Sequence, residues 1–220
     1  MYTSPFTRMT DEAEQRDLVR RVGVAQLVTV DEHGLPQATL LPVVWVADRV
    51  LMHAARRNPQ FEEMVGRSVP ALAVVTGPNA YVSPTWYATQ AERGHAVPTW
   101  NYQAVQLRGE LTGYDDRDRL MEALAAVTAA QEAHRPRPWT LEAAPSYLVQ
   151  GLLRGIVGLE LRVSRVEAKA KLSQHRVVAD RLGVIEALRA DPGGSGNGMG
   201  SGPHEVADAM ARAMSAMGQG

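Results

Sequence analysis

Three groups of residues carry the chemistry that this chain offers. In the first, His53-Ala54-Ala55-Arg56-Arg57-Asn58-Pro59, an imidazole and two guanidiniums precede an Asn-Pro pair that reads as a helix start. Guanidinium donors beside the free N–H groups of a helix N-terminus favour an anion; a solvated basic turn accounts for the same residues. The second group is aromatic. Tyr81, Trp86, Tyr87, Trp100 and Tyr102 are five of the twelve aromatic residues and stand in two runs rich in Pro, Ser, Thr and Asn. Ring faces with polar tips can wall a flat pocket, and they equally suit a barrel plug or a subunit interface. The third group, Lys169-Ala170-Lys171-Leu172-Ser173-Gln174-His175-Arg176, can neutralise a phosphate or a carboxylate, or stay a solvated basic loop.

The elements that must position these groups follow from periodicity and turn chemistry. Thr10 is the expected cap of a helix over residues 11–21, with acids in its first turn and Arg20-Arg21 at its end. Strands are expected over 24–30, 37–46, 50–54, 71–76, 97–114 and 156–166, with a turn at Asp31-Glu32-His33-Gly34. Asn58 as cap and Pro59 at the first helical position predict a helix there. Leu120, Leu124, Val127 and Ala130 share a face of a helix over 115–133, and a shorter one follows over 145–153. Strands in close succession with inserted helices predict a mainly β, α+β fold, a closed antiparallel barrel with helical decoration. A doubly wound parallel sheet would need a helix after nearly every strand. Residues 1–190 carry this domain and 191–203 form a Gly/Ser-rich linker. Residues 204–220 form an amphipathic helix that docks on its own domain or serves as a lid or dimer contact.

Composition narrows the function classes. The 220 residues are 45% hydrophobic and 21% charged, the range of an ordinary globular protein. The absence of cysteine removes disulfides, iron–sulfur clusters and thiolate-ligated haem, and fits a reducing, cytoplasmic setting. No signal-peptide pattern opens the chain, and no run approaches the ~18 apolar residues of a membrane helix. With a net charge of -1 and only short basic runs, sequence-specific DNA binding is not expected.

The three groups, in this order, resemble the PaiB-type family, known as FMN-binding negative transcriptional regulators. The residues that carry the resemblance are Met1-Tyr2, Ala38-Thr39 with Leu41-Pro42, His53 with Ala55-Arg56 and Asn58-Pro59-Gln60, Gly77-Pro78, Ala80-Tyr81-Val82-Ser83-Pro84, Trp86-Tyr87, Val97-Pro98-Thr99-Trp100-Asn101-Tyr102 and Lys171-Leu172-Ser173-Gln174. They span about residues 1–190. The resemblance implies a split β-barrel of the FMN-binding type and a homodimer with two cofactor sites at the subunit interface, near Trp86, Trp100 and Tyr102. It also implies that the strand end and helix around Arg56 and Asn58 hold the cofactor's anionic end. Departures from the family pattern fall on the cofactor-lining segments. Leu40 replaces a His, Met52, Ala54 and Arg57 replace a Gly, a Val and an Ala, Ala168-Lys169-Ala170-Lys171 lacks a Trp, and His175 replaces an Asn.

Those departures suggest a pocket re-cut for another flat ligand. Haem is flat, carries two carboxylates and accepts a His ligand, and the piperazate synthases, an offshoot of the family, use it. The first expectation is therefore a haem-dependent enzyme on a small N-hydroxylated amino acid, closing N5-hydroxy-ornithine to piperazic acid by N–N bond formation with loss of water. The alternative is an FMN-binding regulator, or a flavin-binding module without turnover. His53 is the expected iron ligand, with His175 and His95 as the other candidates. His175, Thr39 and Tyr102 are the candidate catalytic residues. Arg56, Arg57, Asn58, Trp86, Trp100, Lys169 and Lys171 join His53 as cofactor contacts. The expected partners are the amino-acid substrate and a second copy of the chain, with no membrane.

Overall fold

A computed structural model describes residues 1–90, 94, 96–190 and 202–217. Along the chain run α1 (Glu12–Val22), β1 (Val24–Val30), β2 (Pro36–Pro42), β3 (Val44–Val46), β4 (Arg49–Ala55), β5 (Ser68–Val82), β6 (Thr99–Tyr114), α2 (Arg117–Glu132), α3 (Ser146–Leu153), β7 (Ile156–Lys171), α4 (Val178–Ala190) and α5 (Pro203–Met217). The strands form one seven-stranded antiparallel sheet in the order β2-β1-β5-β6-β7-β4-β3. Because β2 also lies against β4, the sheet curls back on itself.

Several local expectations change. Asp11, not Thr10, caps α1, its Oδ1 accepting from the Ala13 N–H at 2.8 Å. The strand expected over 37–46 is two strands, β2 and β3. The short strand at 71–76 is the middle of the long β5, which runs on through Gly77-Pro78. No helix follows Asn58. The Asn58 carbonyl accepts from Phe61 N–H at 2.8 Å and the Phe61 carbonyl from Met64 N–H at 3.1 Å, so the segment is a series of tight turns. Buried Phe61 and Met64 anchor those turns before Gly66, at φ +74°, redirects the chain. The last strand reaches Lys171, so Lys169 and Lys171 stand on β7 rather than in a loop.

The chain divides into two compact units. The first comprises Met1–Gln15, Thr76–Val105 and Glu167–Gly220, the second Arg16–Val75 and Gln106–Val166. In the second, the β4–β7 register opposes Val50 to Leu161, Met52 to Leu159 and Ala54 to Val157, and all six residues are buried. Burying each of the larger side chains contributes about 1.5–3 kcal/mol. The other face of the same pair carries Leu51 opposite Glu160, His53 opposite Gly158 and Ala55 opposite Ile156. There Leu51 and Ile156 pack with Tyr114, Leu120, Ala123 and Leu153, so α2 and α3 cover this face. A Cβ on Gly158 would lie 2.3 Å from the Tyr114 ring, which explains why a glycine faces His53.

In the first unit, α4 and α5 pack together. Val184, Ile185 and Leu188 meet Val206, Ala207, Ala209 and Met210 over Ala80, Val82, Tyr87 and Leu172. Helix α5 thus docks on its own unit. Among the described residues no helix is long and apolar enough to cross a membrane.

Candidate functional site

The residues singled out by type and spacing separate into three clusters, two in the second unit and one in the first. The first of these forms around Gln60. Its Nε2 donates to the Leu27 carbonyl (3.1 Å), Thr29 Oγ1 (3.0 Å) and the Gln37 carbonyl (3.3 Å), while its Oε1 accepts from Thr39 Oγ1 at 2.6 Å. Asn58 Nδ2 donates to Thr39 Oγ1 at 3.2 Å, and Asn58 Oδ1 accepts from Gln60 N–H. Thr39 and Asn58, expected in catalysis and cofactor binding, are committed to a closed network that ties the turn after β4 to β1 and β2. A hydroxyl engaged in this way is a scaffold group.

Arg56, expected beside Asn58, turns to other partners. Both its Nη atoms donate to Asp115 Oδ2 at 3.4 Å, and with Arg117, Arg154, Gln150, Leu120 and Leu153 it lines a cleft of about 260 Å³. Cofactor pockets are typically about 300–1,000 Å³. The cleft is therefore sized for one end of such a ligand or for a small anion. Arg57 is exposed and does not line it.

His53 shares a face with Leu51 under the helices. Burial lowers its pKa below the usual histidine value, so the ring is neutral at pH 7. Its Nδ1 is buried without a hydrogen-bond partner. A ligating imidazole is normally oriented by donating its other N–H to a carboxylate or carbonyl. With Nε2 as the ligand, that orienting acceptor is missing here. His53 is therefore not oriented through Nδ1 for ligation by Nε2.

In the first unit, Lys171 Nζ donates to Thr99 Oγ1 and to the Trp100 carbonyl (2.9 Å). Burial lowers the Lys171 pKa; the Tyr102 hydroxyl opposes this and Lys169 adds to it. Lys169 donates to the Tyr2 carbonyl at 3.1 Å and lies 5.3 Å from the Tyr102 ring centre, within cation–π range. Ser173 adopts φ +61° and donates to Asn101 Oδ1 at 3.1 Å; Asn101 Nδ2 in turn donates to Met210 Sδ at 3.4 Å. The Pro-Thr-Trp-Asn-Tyr and Lys-Leu-Ser-Gln runs are therefore two halves of one cluster. Tyr81 and Trp100 meet edge-to-face at 6.2 Å, and both residues are partly exposed.

Other candidates fall elsewhere. Trp86 packs against the α4–α5 core, and its carbonyl sits where a Cβ on Gly183 would be. His175 is exposed, its pKa lowered by burial and by Arg176 and Lys171. His95 lies outside the described residues. The described residues hold no grouping of three or more His, Asp or Glu that could bind a metal ion. Partly exposed rings and two lysines fit a flavin, which is flat and whose tail is anionic. Sequence reasoning missed Gln60 as a hub and missed Arg117 and Arg154. The latter pair share no local pattern with Arg56, and only the fold brings them together.

The fold is a split β-barrel, shared with flavin-binding proteins. The FAD and haem binding protein from Mycobacterium smegmatis aligns with a TM-score of 0.54 over 74% of this chain and 73% of that one, at 19% identity. The flavocytochrome Anf3 from Azotobacter vinelandii aligns at 0.52 over 77% and 72%, at 14% identity. These likenesses are of fold. The chain belongs to the family described as "Putative FMN-binding domain", which matches residues 1–165. The Bacillus subtilis protein "Protease synthase and sporulation protein PAI 2" is 33% identical over 193 residues, 86% of this chain and 89% of that protein. An uncharacterised Aspergillus fumigatus protein is 31% identical over 167 residues, 62% of this chain and 64% of its own length.

Proposed function

We propose that this chain is an FMN-binding, PaiB-like protein, the alternative of the two readings drawn from sequence. The observation that carries it is membership of the FMN-binding family over residues 1–165. The partly exposed rings of Tyr81 and Trp100, with Lys171 on the Trp100 carbonyl and Lys169 beside Tyr102, offer stacking and charge to a flat, anionic ligand. The exposed residues Tyr2, Phe6, Tyr81, Val97 and Trp100 in the same unit suit a second copy of the chain, so the proposed state is a homodimer. Titrating the purified protein with FMN, read by absorption and by quenching of flavin fluorescence, tests the reading. Saturable binding at one FMN per chain is expected; unquenched fluorescence at excess protein defeats it. Light scattering tests the dimer, and a monomer with flavin bound would sink it.

The haem enzyme on an N-hydroxylated amino acid keeps one supporting observation, the neutral, half-buried ring of His53. A Soret band in protein purified after supply of haem, lost in His53→Ala, would restore it over the flavin reading.

A further inference from the structure

Helix α3 carries apolar side chains on two sides, and the fold covers only one of them. Val149 and Leu153 turn inward, packing with Leu51, Tyr114 and Leu120 in the core of the second unit. At 3.6 residues per turn, Tyr147, Leu148, Gly151 and Leu152 share the opposite side. There Tyr147 is 75%, Leu148 47% and Leu152 61% exposed. A helix that is apolar all round is normally buried all round. Three large apolar side chains left in water on one short helix therefore mark a contact surface rather than scattered exposure.

This face fits a second copy of itself. A Cβ on Gly151 would meet no neighbouring atom within 4 Å, so the glycine leaves a hollow among Tyr147, Leu148 and Leu152 that a side chain from outside can enter. Antiparallel pairing about a twofold axis sets Leu148 of each copy against Gly151 of the other, and Tyr147 against Leu152, so one face supplies both knob and hole. The charges agree with that direction. Glu142 stands ahead of the helix and Arg154 behind it, both exposed and neither ion-paired among the described residues. Antiparallel pairing brings Glu142 of one copy to the end where Arg154 of the other stands. Arg154 also lines the cleft in which three guanidiniums face the single carboxylate of Asp115, so a further carboxylate arriving there relieves their repulsion.

We propose that α3 is a self-association surface, pairing antiparallel with α3 of a second copy about a twofold axis between Leu148 and Gly151. It belongs to the second unit, whereas Tyr2, Phe6, Tyr81, Val97 and Trp100 all belong to the first, so it is a second contact and does not rest on the flavin reading. Four residues a side fall short of the roughly 800 Å² per partner of a stable dimer, so the contact forms and breaks with protein concentration. Where the first-unit face also pairs, α3 joins two dimers into a tetramer; where it does not, α3 alone makes a dimer.

The full chain is the sample, and its lack of cysteine makes the contact measurable. Leu148→Cys and Gly151→Cys proteins, mixed and oxidised, should link at least about tenfold faster than Glu186→Cys, an exposed position on α4, with the mixed pair in excess of its statistical share. In sedimentation equilibrium the average mass of the wild type should rise with concentration. Leu148→Glu/Leu152→Glu should move that rise to at least about tenfold higher concentration, with an unchanged thermal unfolding midpoint. Arg154→Glu should weaken association severalfold and Glu142→Arg/Arg154→Glu should restore it, which a merely structural role for either residue would not do. Linkage no faster than in Glu186→Cys, or a mass profile unchanged in Leu148→Glu/Leu152→Glu, overturns the proposal. So does binding of the wild type to phosphatidylcholine vesicles that this double variant loses, which would make the face a membrane contact. Failure of the first-unit dimer lowers the starting mass without removing the rise, so the two contacts fail separately.

Discussion

Within a single unit the turn after β4 serves two regions that could hardly differ more in how their polar groups are treated. On one side, every polar atom of the Gln60 side chain is matched, and Thr39 and Asn58 are absorbed in the same network. On the other, Arg56 reaches a single distant carboxylate while Arg117 and Arg154 pair with none among the described residues. Residue type would assign function to both sides. Hydrogen-bond accounting assigns scaffold to the first and leaves the second open for a ligand. The lysines of the first unit stand between these extremes: Lys171 is anchored by two acceptors yet sits beside partly exposed aromatic rings.

The comparison can be broken most forcefully at its closed side. Gln60→Ala strips partners from two carbonyls and two hydroxyls at once, and should cost about 2–4 kcal/mol of stability. Urea unfolding measures it; a loss under half a kcal/mol would mean that the network is incidental. A smaller loss, about 1–3 kcal/mol, is expected for Asn101→Ala, which leaves buried Ser173 without an acceptor at a left-handed backbone position. If Met210→Leu costs as much in the Asn101→Ala background as in the wild type, the contact from Asn101 to α5 adds nothing to stability.

Acidity sharpens the picture at His53. Its folded pKa lies below the ordinary 6.5, so the unfolded chain binds a proton that the folded chain resists. Stability should therefore fall as the pH drops below about 6.5, until the folded ring itself protonates. His53→Gln should lose less stability than the wild type between pH 7 and pH 5. Equal pH profiles would show that the ring is not desolvated in solution. The smallest effect belongs to the open side. Arg117→Ala/Arg154→Ala should change stability in phosphate-free buffer by no more than about 0.5 kcal/mol. A large destabilisation there would make the cleft a structural charge cluster.

How far the sequence could be read depended on whether a segment's behaviour was set locally. Strand β1 and helix α2 lie close to where alternation and helical spacing place them, and helix α3 falls within its expected span. Helix α4 was missed because Gly183 interrupts its pattern, at about 1 kcal/mol relative to alanine. The glycine is kept by a distant group, the Trp86 carbonyl, 2.3 Å from where its Cβ would be. The helix expected after Asn58 failed for a related reason. Asn58 does accept from Gln60 N–H as a cap would, but Phe61 and Met64 are pulled into the core before a helical turn can propagate. The site was legible as residue types and family motifs. Its division into a closed hub, an arginine cleft and a lysine–aromatic cluster was not, since Arg56, Arg117 and Arg154 are joined only by tertiary structure.

One backbone contact bears on how the molecule is made. Met9 N–H donates to the Ala168 carbonyl at 3.1 Å, and Ala170 N–H donates to the Thr7 carbonyl at 2.9 Å. Residues 7 and 9 thus pair with a strand translated about 160 residues later. At roughly 5–20 residues per second, they wait on the order of ten seconds with their backbone groups unmatched. Closing so wide a loop also places this pairing among the slower steps of folding. Until then the N-terminal segment is an open strand edge, exposed to any neighbouring nascent chain in the same state.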